Sequence, residues 1–164
     1  YADILGTEHI ICHPGIGGDI KETVHQFKII GADSVLIENK PYYARDKAVC
    51  VGYNPEDIKY VMDHTGVGFC LDVQHAICAA NAQQIDPLSY LRSFIELAPK
   101  LVHLADGDIN SVHDSHGHIG SGNYDIPSIL EILPQSCMVT VEVEKNDQNK
   151  LDDFERDVLL LKTY

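Results

Sequence analysis

The sequence predicts an α/β fold, a parallel (β/α)8 barrel of which this chain carries about five units. Three observations predict it. Short β-branched runs alternate with helical patterns along the whole length. The runs are filled almost continuously with apolar residues, as in Ser34-Val-Leu-Ile and Val139-Thr-Val, which suits strands covered on both faces of a parallel sheet. Finally, an imidazole or a carboxylate stands near the carboxyl end of every strand, the end that carries the active site in such barrels. The 164 residues, 45% of them hydrophobic, make one domain over 1–164 with a core of its own, and no linker or low-complexity segment divides it.

In chain order, Tyr1-Ala-Asp-Ile-Leu-Gly6 reads as the tail of a helix closed by its glycine, so the chain begins in mid-element. The first strand is expected over His9 to Gly15, and a helical pattern follows from Asp19 to Ile30. A second strand covers Ser34 to Lys40. Asn54-Pro55-Glu56-Asp57 then starts a helix running to His64, with Asn54 as cap, Pro55 in the first turn and two acids facing the positive end of the dipole. Strands at Gly68 to His75, Leu101 to Asp108 and Met138 to Glu144 alternate with helices at Pro87 to Leu97, Ile126 to Leu133 and Leu151 to Leu161. Asp152, Asp153 and Glu155 suit the first turn of the last one. A closed barrel needs eight units and about 250 residues, so these are expected to be strands four to eight. The competing architecture is an open five-stranded doubly wound sheet, complete as given.

Charge and cysteine usage narrow the chemistry. Twelve Lys and Arg stand against 25 Asp and Glu, a net charge of -13, which weighs against a broad nucleic-acid footprint, although bound divalent ions would reverse the sign locally. No apolar run approaches the roughly 20 residues of a membrane span, and no secretory leader is visible. Cys12, Cys50, Cys70, Cys78 and Cys137 are odd in number and have no C-x-x-C spacing, which argues against a disulfide framework or a cysteine zinc site and for a reducing, cytoplasmic setting.

The residues that end the strands are His13, Glu38, Asp72 with His75, His103 and Glu142, and Asp114-Ser-His116 follows in the loop after the fourth strand. One such residue alone is ordinarily a hydrogen-bonded loop anchor. Five strands ending this way converge on one barrel mouth, where oxygen and nitrogen donors would meet as ligands of a divalent metal, zinc or manganese, one to three ions. His9, His25 and His64 fall outside the pattern, and His113 and His118 flank it. Gly120-Ser-Gly-Asn-Tyr-Asp125 lacks a preceding strand and a third glycine, so it is a tight substrate-side turn rather than a dinucleotide fingerprint.

Cys70-Leu-Asp-Val-Gln-His75 and the span from His103-Leu-Ala-Asp106 to Asp114-Ser-His-Gly-His-Ile-Gly-Ser-Gly-Asn123 resemble the xylose-isomerase-like TIM barrel superfamily, which includes AP endonuclease family 2, endonuclease IV and many sugar isomerases and epimerases. The resemblance implies a central metal on Glu38, Asp72, His103 and Glu142. In the endonuclease branch it further implies His13 with Glu38 at a second zinc, and His75, Asp114 and His116 at a third. Departures accompany the matches: Asn39 is followed by Lys40-Pro-Tyr-Tyr where endonuclease IV has Asn-Thr-Ala-Gly-Gln-Gly, and Asp72-Val-Gln-His75 replaces Asp-Thr-Cys-His. The reading placed first is a sugar or sugar phosphate isomerase or epimerase working through a metal-stabilised enediolate, with Glu38 and Glu142 as base and acid and His75 steering a hydroxyl. Asn39, Lys40, His118 and Asn123 are its expected substrate contacts. The alternative is a zinc phosphodiesterase that cleaves abasic sites in DNA, and the non-catalytic reading is an inactive fragment or relative. Open parallel edges would favour a homo-oligomer.

Overall fold

Five parallel strands form one sheet in the order in which they occur in the chain: β1 (Ile10–Cys12), β2 (Val35–Glu38), β3 (Gly68–Asp72), β4 (Leu101–Leu104) and β5 (Met138–Val141). The computed structural model describes Ile4 and residues 6–164. The helix tail expected over the first residues falls, Ile4 apart, outside the described residues; Gly6 has the left-handed φ of 62° that a helix-ending glycine adopts. Sequential order separates the two architectures left open by the sequence. A doubly wound sheet reverses its strand order at a switch point, whereas a barrel adds each strand beside the last. The chain is a half-barrel.

Six helices, α1 (Ile20–Ile30), α2 (Pro55–Thr65), α3 (Val73–Gln83), α4 (Pro87–Ile95), α5 (Ile126–Ile132) and α6 (Asp152–Leu161), connect or follow the strands among the described residues. Side chains of Asp19, Asn54, Asp72, Asp86 and Asp125 accept backbone N–H bonds at the starts of α1 to α5, and proline lies in the first turn of α2, α4 and α5. Two expectations are corrected. All five strands end earlier than expected, β1 and β2 also start one residue later while β3, β4 and β5 start where expected, and β3 stops at Asp72: Val73, Gln74 and His75 are the first turn of α3 rather than the end of a strand. No helix was expected there, because α3 is buried on all sides through its first eight residues and shows no polar stripe for a period to reveal.

Strand residues alternate between two layers. Ile37, Phe69, Leu71 and Val102 face the helices and pack with Ile58, Val61, Ala76 and Phe94 in the main core. Ile11, Leu36, Cys70 and Leu101 point to the other side as a small apolar cluster. Two residues further along each strand, on that inner side, come His13, Glu38, Asp72 and His103. Ile10 on β1 and Met138 and Val139 on β5 are exposed along the two edges. No described helix is long and apolar enough to cross a membrane, and the five cysteines form no disulfide among the described residues.

Candidate metal centre

Strand register steps the inner polar residues across the sheet, with Glu38 two residues below the level of Asp72 and His103 and Glu142 two residues above it, and their side chains converge. Glu38 is level with Cys70, Asp72 with His103 and His103 with Thr140, and Glu142, just beyond β5, donates its N–H to Leu104 O at 3.0 Å. As a result Glu38, Asp72, His103 and Glu142 each place one donor atom within 4.8 Å of the others'. Nδ1 of His103 stands 2.7 Å from Oε2 of Glu142 and 3.2 Å from Oε2 of Glu38. These atoms are close yet poorly aligned with one another: Oε1 of Glu38, Nδ1 of His103 and Oε2 of Glu142 are buried without a hydrogen bond. Buried polar atoms are rarely left so. Lone pairs gathered around one point rather than aimed at each other suit a shared cation, and the oxygen and nitrogen donors suit a divalent ion.

A second group lies beside the first. His75, Asp114 and His116 also bring donor atoms within 4.8 Å of one another. Nδ1 of His75 is 2.9 Å from Asn39 O and Nδ1 of His116 is 3.1 Å from Glu142 O. A carbonyl only accepts, so each Nδ1 carries a proton, and each Nε2, 3.4 Å and 3.0 Å from Oδ2 of Asp114, is the ring atom open to a metal once its own proton leaves. Orientation of an imidazole by a backbone carbonyl is the usual second support of a metal-binding histidine. His13, half-exposed at the rim, turns Nε2 to Oε1 of Glu38 at 3.2 Å.

Electrostatics tell the same story from the protein side. Burial works against charge on Glu38, but the imidazoles of His103, His13 and His75 outweigh it and hold the carboxyl well below its usual range. Burial likewise opposes charge on His75, yet Asp72, Asp114 and Glu38 push it up to about 10. His103 rises to about 12 against burial, through Cys70, Glu142 and Glu38, and His116 to about 9, chiefly through Asp114. Asp72 goes the other way: burial raises it, and His75 only partly offsets this. Imidazolium charge thus stands where a metal's positive charge would otherwise be needed.

Three residues that sequence reasoning did not single out hold this arrangement. Oε1 of the buried Gln74 accepts N–H bonds from Ser115 at 3.0 Å and His116 at 2.7 Å, while its Nε2 donates to Asp106 O at 3.1 Å. This fixes the loop that carries Asp114 and His116. Asp106, also buried, accepts four backbone N–H bonds, from Gly107, Gly120, Gly122 and Tyr124, and so folds residues 117–124 back on the end of β4. Gly122 makes that fold possible, since a Cβ there would run into the backbone of Gly107 and the Asp106 carboxylate. Each left a trace in the sequence without a role: Gln74 as a departure within the Asp72 to His75 motif, Asp106 as the end of the His103 motif and Gly122 inside the tight turn.

The expected substrate contacts separate. Lys40 lines a cavity of 260 Å³ together with His13, Arg45, His75, Asp114, His116 and Glu142. Asn39 does not reach it: the side chain is wholly buried and clamps the backbone of Asp72, donating to its O at 2.9 Å and accepting from its N at 2.8 Å. His118 turns away to Asp157 on α6 and to Asn146, because a fully buried carboxylate on that helix needs a partner. Asn123 accepts from Ile109 N at 2.7 Å and serves its own loop.

The family described as "Xylose isomerase-like TIM barrel" matches residues 1–164. "Endonuclease 4" of Thermus thermophilus is 31% identical over 134 residues, 74% of this chain and 48% of that protein. The solved structure of a D-tagatose 3-epimerase-like protein superposes with a TM-score of 0.74 at 20% identity, covering 99% of this chain and 64% of the other. The solved structure of endonuclease IV from Thermus thermophilus gives a TM-score of 0.72 at 21% identity, covering 99% and 65%. At these identities the two structures speak for the fold. The chain spans about half the length of that endonuclease 4 relative.

Proposed function

Since the chain belongs to the xylose isomerase-like TIM barrel family, we propose that it provides the metal-binding face of a divalent-metal-dependent phosphoester hydrolase, acting on a phosphodiester such as that of damaged DNA. The observation that carries this reading is the second ligand group. Glu38, Asp72, His103 and Glu142 suffice for one ion, whereas His75, Asp114 and His116, with both imidazoles preset by backbone carbonyls, are built for another. Two adjacent ions are what a phosphoryl centre uses, one for each of the attacking and leaving oxygens. Divalent ions held here would supply Lewis acidity at a phosphoryl oxygen and lower the pKa of water.

The protein's own groups divide the remaining work. Glu38 is 1% exposed and Glu142 42% exposed at the side chain, so Glu142 is the carboxylate that solvent and substrate reach. Its Oε2 is buried against His103, which leaves Oε1 as the oxygen placed to take a proton from an attacking water. His75 and His116 keep Nε2 directed inward, and Gln74 holds the loop that presents Asp114. The zinc-loaded protein is expected to cleave a duplex containing an abasic site and to lose cleavage together with one ion on His116→Ala. Retained cleavage in that variant would remove the reading.

The isomerase reading draws on a different observation. Glu38, at the end of β2, and Glu142, just beyond β5, approach Nδ1 of His103 from opposite neighbours, an arrangement able to pass a proton between adjacent carbons of a sugar. It needs only the four-residue group. Exchange of a carbon-bound substrate proton with solvent, lost on Glu142→Gln, would favour it over hydrolysis.

A further inference from the structure

Three of the chain's twelve Lys and Arg, Lys40, Arg45 and Lys47, fall within eight residues of the loop between β2 and α2. The loop is braced rather than loose. Tyr43 and Val49 form an antiparallel bridge, Cys50 N donates to Tyr42 O at 3.0 Å and Ala44 N to Ala48 O at 2.9 Å, and the ring of Tyr42 packs edge-on against Tyr43 and Tyr53. Arg45 and Lys47 sit at its tip, and Lys47 keeps a left-handed φ of 68° that a lysine adopts only at some cost. Lys40 and Arg45 line the cavity that holds His13, His75 and Asp114, while Arg45, Lys47, Tyr43 and Asp114 line an adjoining one of 230 Å³. The other cations in ion pairs, Lys59, Lys150 and Arg156, are elsewhere; these three form none among the described residues.

Three carboxylates stand nearby, and each is occupied: Glu142, in the same cavity as Lys40 and Arg45, turns Oε2 to Nδ1 of His103. Oδ2 of Asp114 faces His116 and His75, and Oδ1 of Asp46 accepts from Ala48 N within the turn. On a chain of net charge -13, three unpaired cations gathered at the mouth of the metal centre form a local reversal of sign.

We propose that Lys40, Arg45 and Lys47 form a phosphate subsite beside the metal centre, which holds a non-reacting phosphate of the substrate while its reacting end lies at the metal ligands. Guanidinium and ammonium donors together suit a phosphate, and the ring of Tyr43 offers a flat wall for the sugar or base that carries it. The same chemistry is met by a small sugar phosphate or by the next phosphate of a nucleic-acid strand. The subsite stands on the loop's own geometry and does not depend on which reaction the metal centre performs.

Binding is measured calorimetrically on the zinc-loaded protein with D-ribose 5-phosphate, D-ribose and a duplex carrying an abasic site, in wild type, Arg45→Ala, Lys47→Ala and the double variant, with zinc content checked in each. If the source is a small ester, ribose 5-phosphate binds far more tightly than ribose, and the preference falls about tenfold per cation removed while zinc content stays constant. If the source is a strand, the duplex binds and the double variant lowers the slope of log affinity against log salt by about two. Either result supports the subsite. A phosphate preference that survives the double variant, or binding of neither phosphate probe, overturns it. Loss of cleavage with the phosphate preference intact would strike the proposed reaction alone.

Discussion

Replacing Gln74 with leucine should release one metal ion and spare the other. The side chain makes three good hydrogen bonds to the loop around Asp114 and His116, two of them from backbone N–H groups. At about 1 kcal/mol for each bond, the loop loses about 3 kcal/mol of ordering, which is on the order of a 100-fold change in affinity for any ion that needs the ordered loop. Supporting groups around metal ligands elsewhere are worth about 10- to 100-fold, so the two routes agree. The four-residue group takes no ligand from this loop and should keep its ion. A zinc titration against a chromophoric chelator would separate the two classes of site. In Gln74→Leu the weaker class shifts and the tighter one stays, and Gln74→Glu, which still accepts the two N–H bonds, falls between. Equal loss of both classes, or no loss in either, would refute the reasoning.

Asp106→Asn keeps the shape of the carboxylate but sets an amide group against backbone donors, and should cost about 2 kcal/mol in thermal or denaturant unfolding. Gly122→Ala is expected to be worse tolerated than Gly15→Ala, where a Cβ meets nothing, and comparison of melting temperatures decides it. Removing metal should make stability fall on the alkaline side. His75 and His116 are raised from an ordinary 6.5 to about 10 and about 9, so their contribution is complete below about pH 6.5 and is lost as pH climbs through 9 to 10. Melting of chelated protein at pH 7 and pH 10 tests this, and metal-loaded protein, in which the ions replace those protons, should show a smaller drop.

The strand-end residues were legible because each interrupts an otherwise apolar run, and a parallel barrel has one place to bring such residues together. His13, Glu38, Asp72, His103 and Glu142 accordingly meet at the carboxyl end of the sheet, where His75 of α3 and Asp114 and His116 of the loop after β4 join them. Side-chain direction was less legible. Asn39 and His118 have the chemistry of substrate contacts, but a backbone clamp and a buried Asp157 claim them, and neither partner is close in sequence. The roles of Gln74 and Asp106 were hidden for the same reason: apart from Gly107 beside Asp106, their partners lie 14 to 50 residues away and are mostly backbone atoms, whose positions no residue type announces. Helix α3 was hidden by its burial, which removes the polar face that makes a helix readable.

The junction at Asp72 has a consequence for how this scaffold can change. One residue ends β3, caps α3 through the N–H of His75 at 2.6 Å and offers its carboxylate to the metal group. With no loop between strand and helix there is nothing to lengthen, shorten or reshape, so this part of the mouth is a fixed wall. Residues 39–54 and 105–125 are the long connections on the same side. Within this half-barrel those two stretches offer the most room for new specificity, whether acquired by drift or by design, and changes at the wall will alter whether the protein works rather than what it works on.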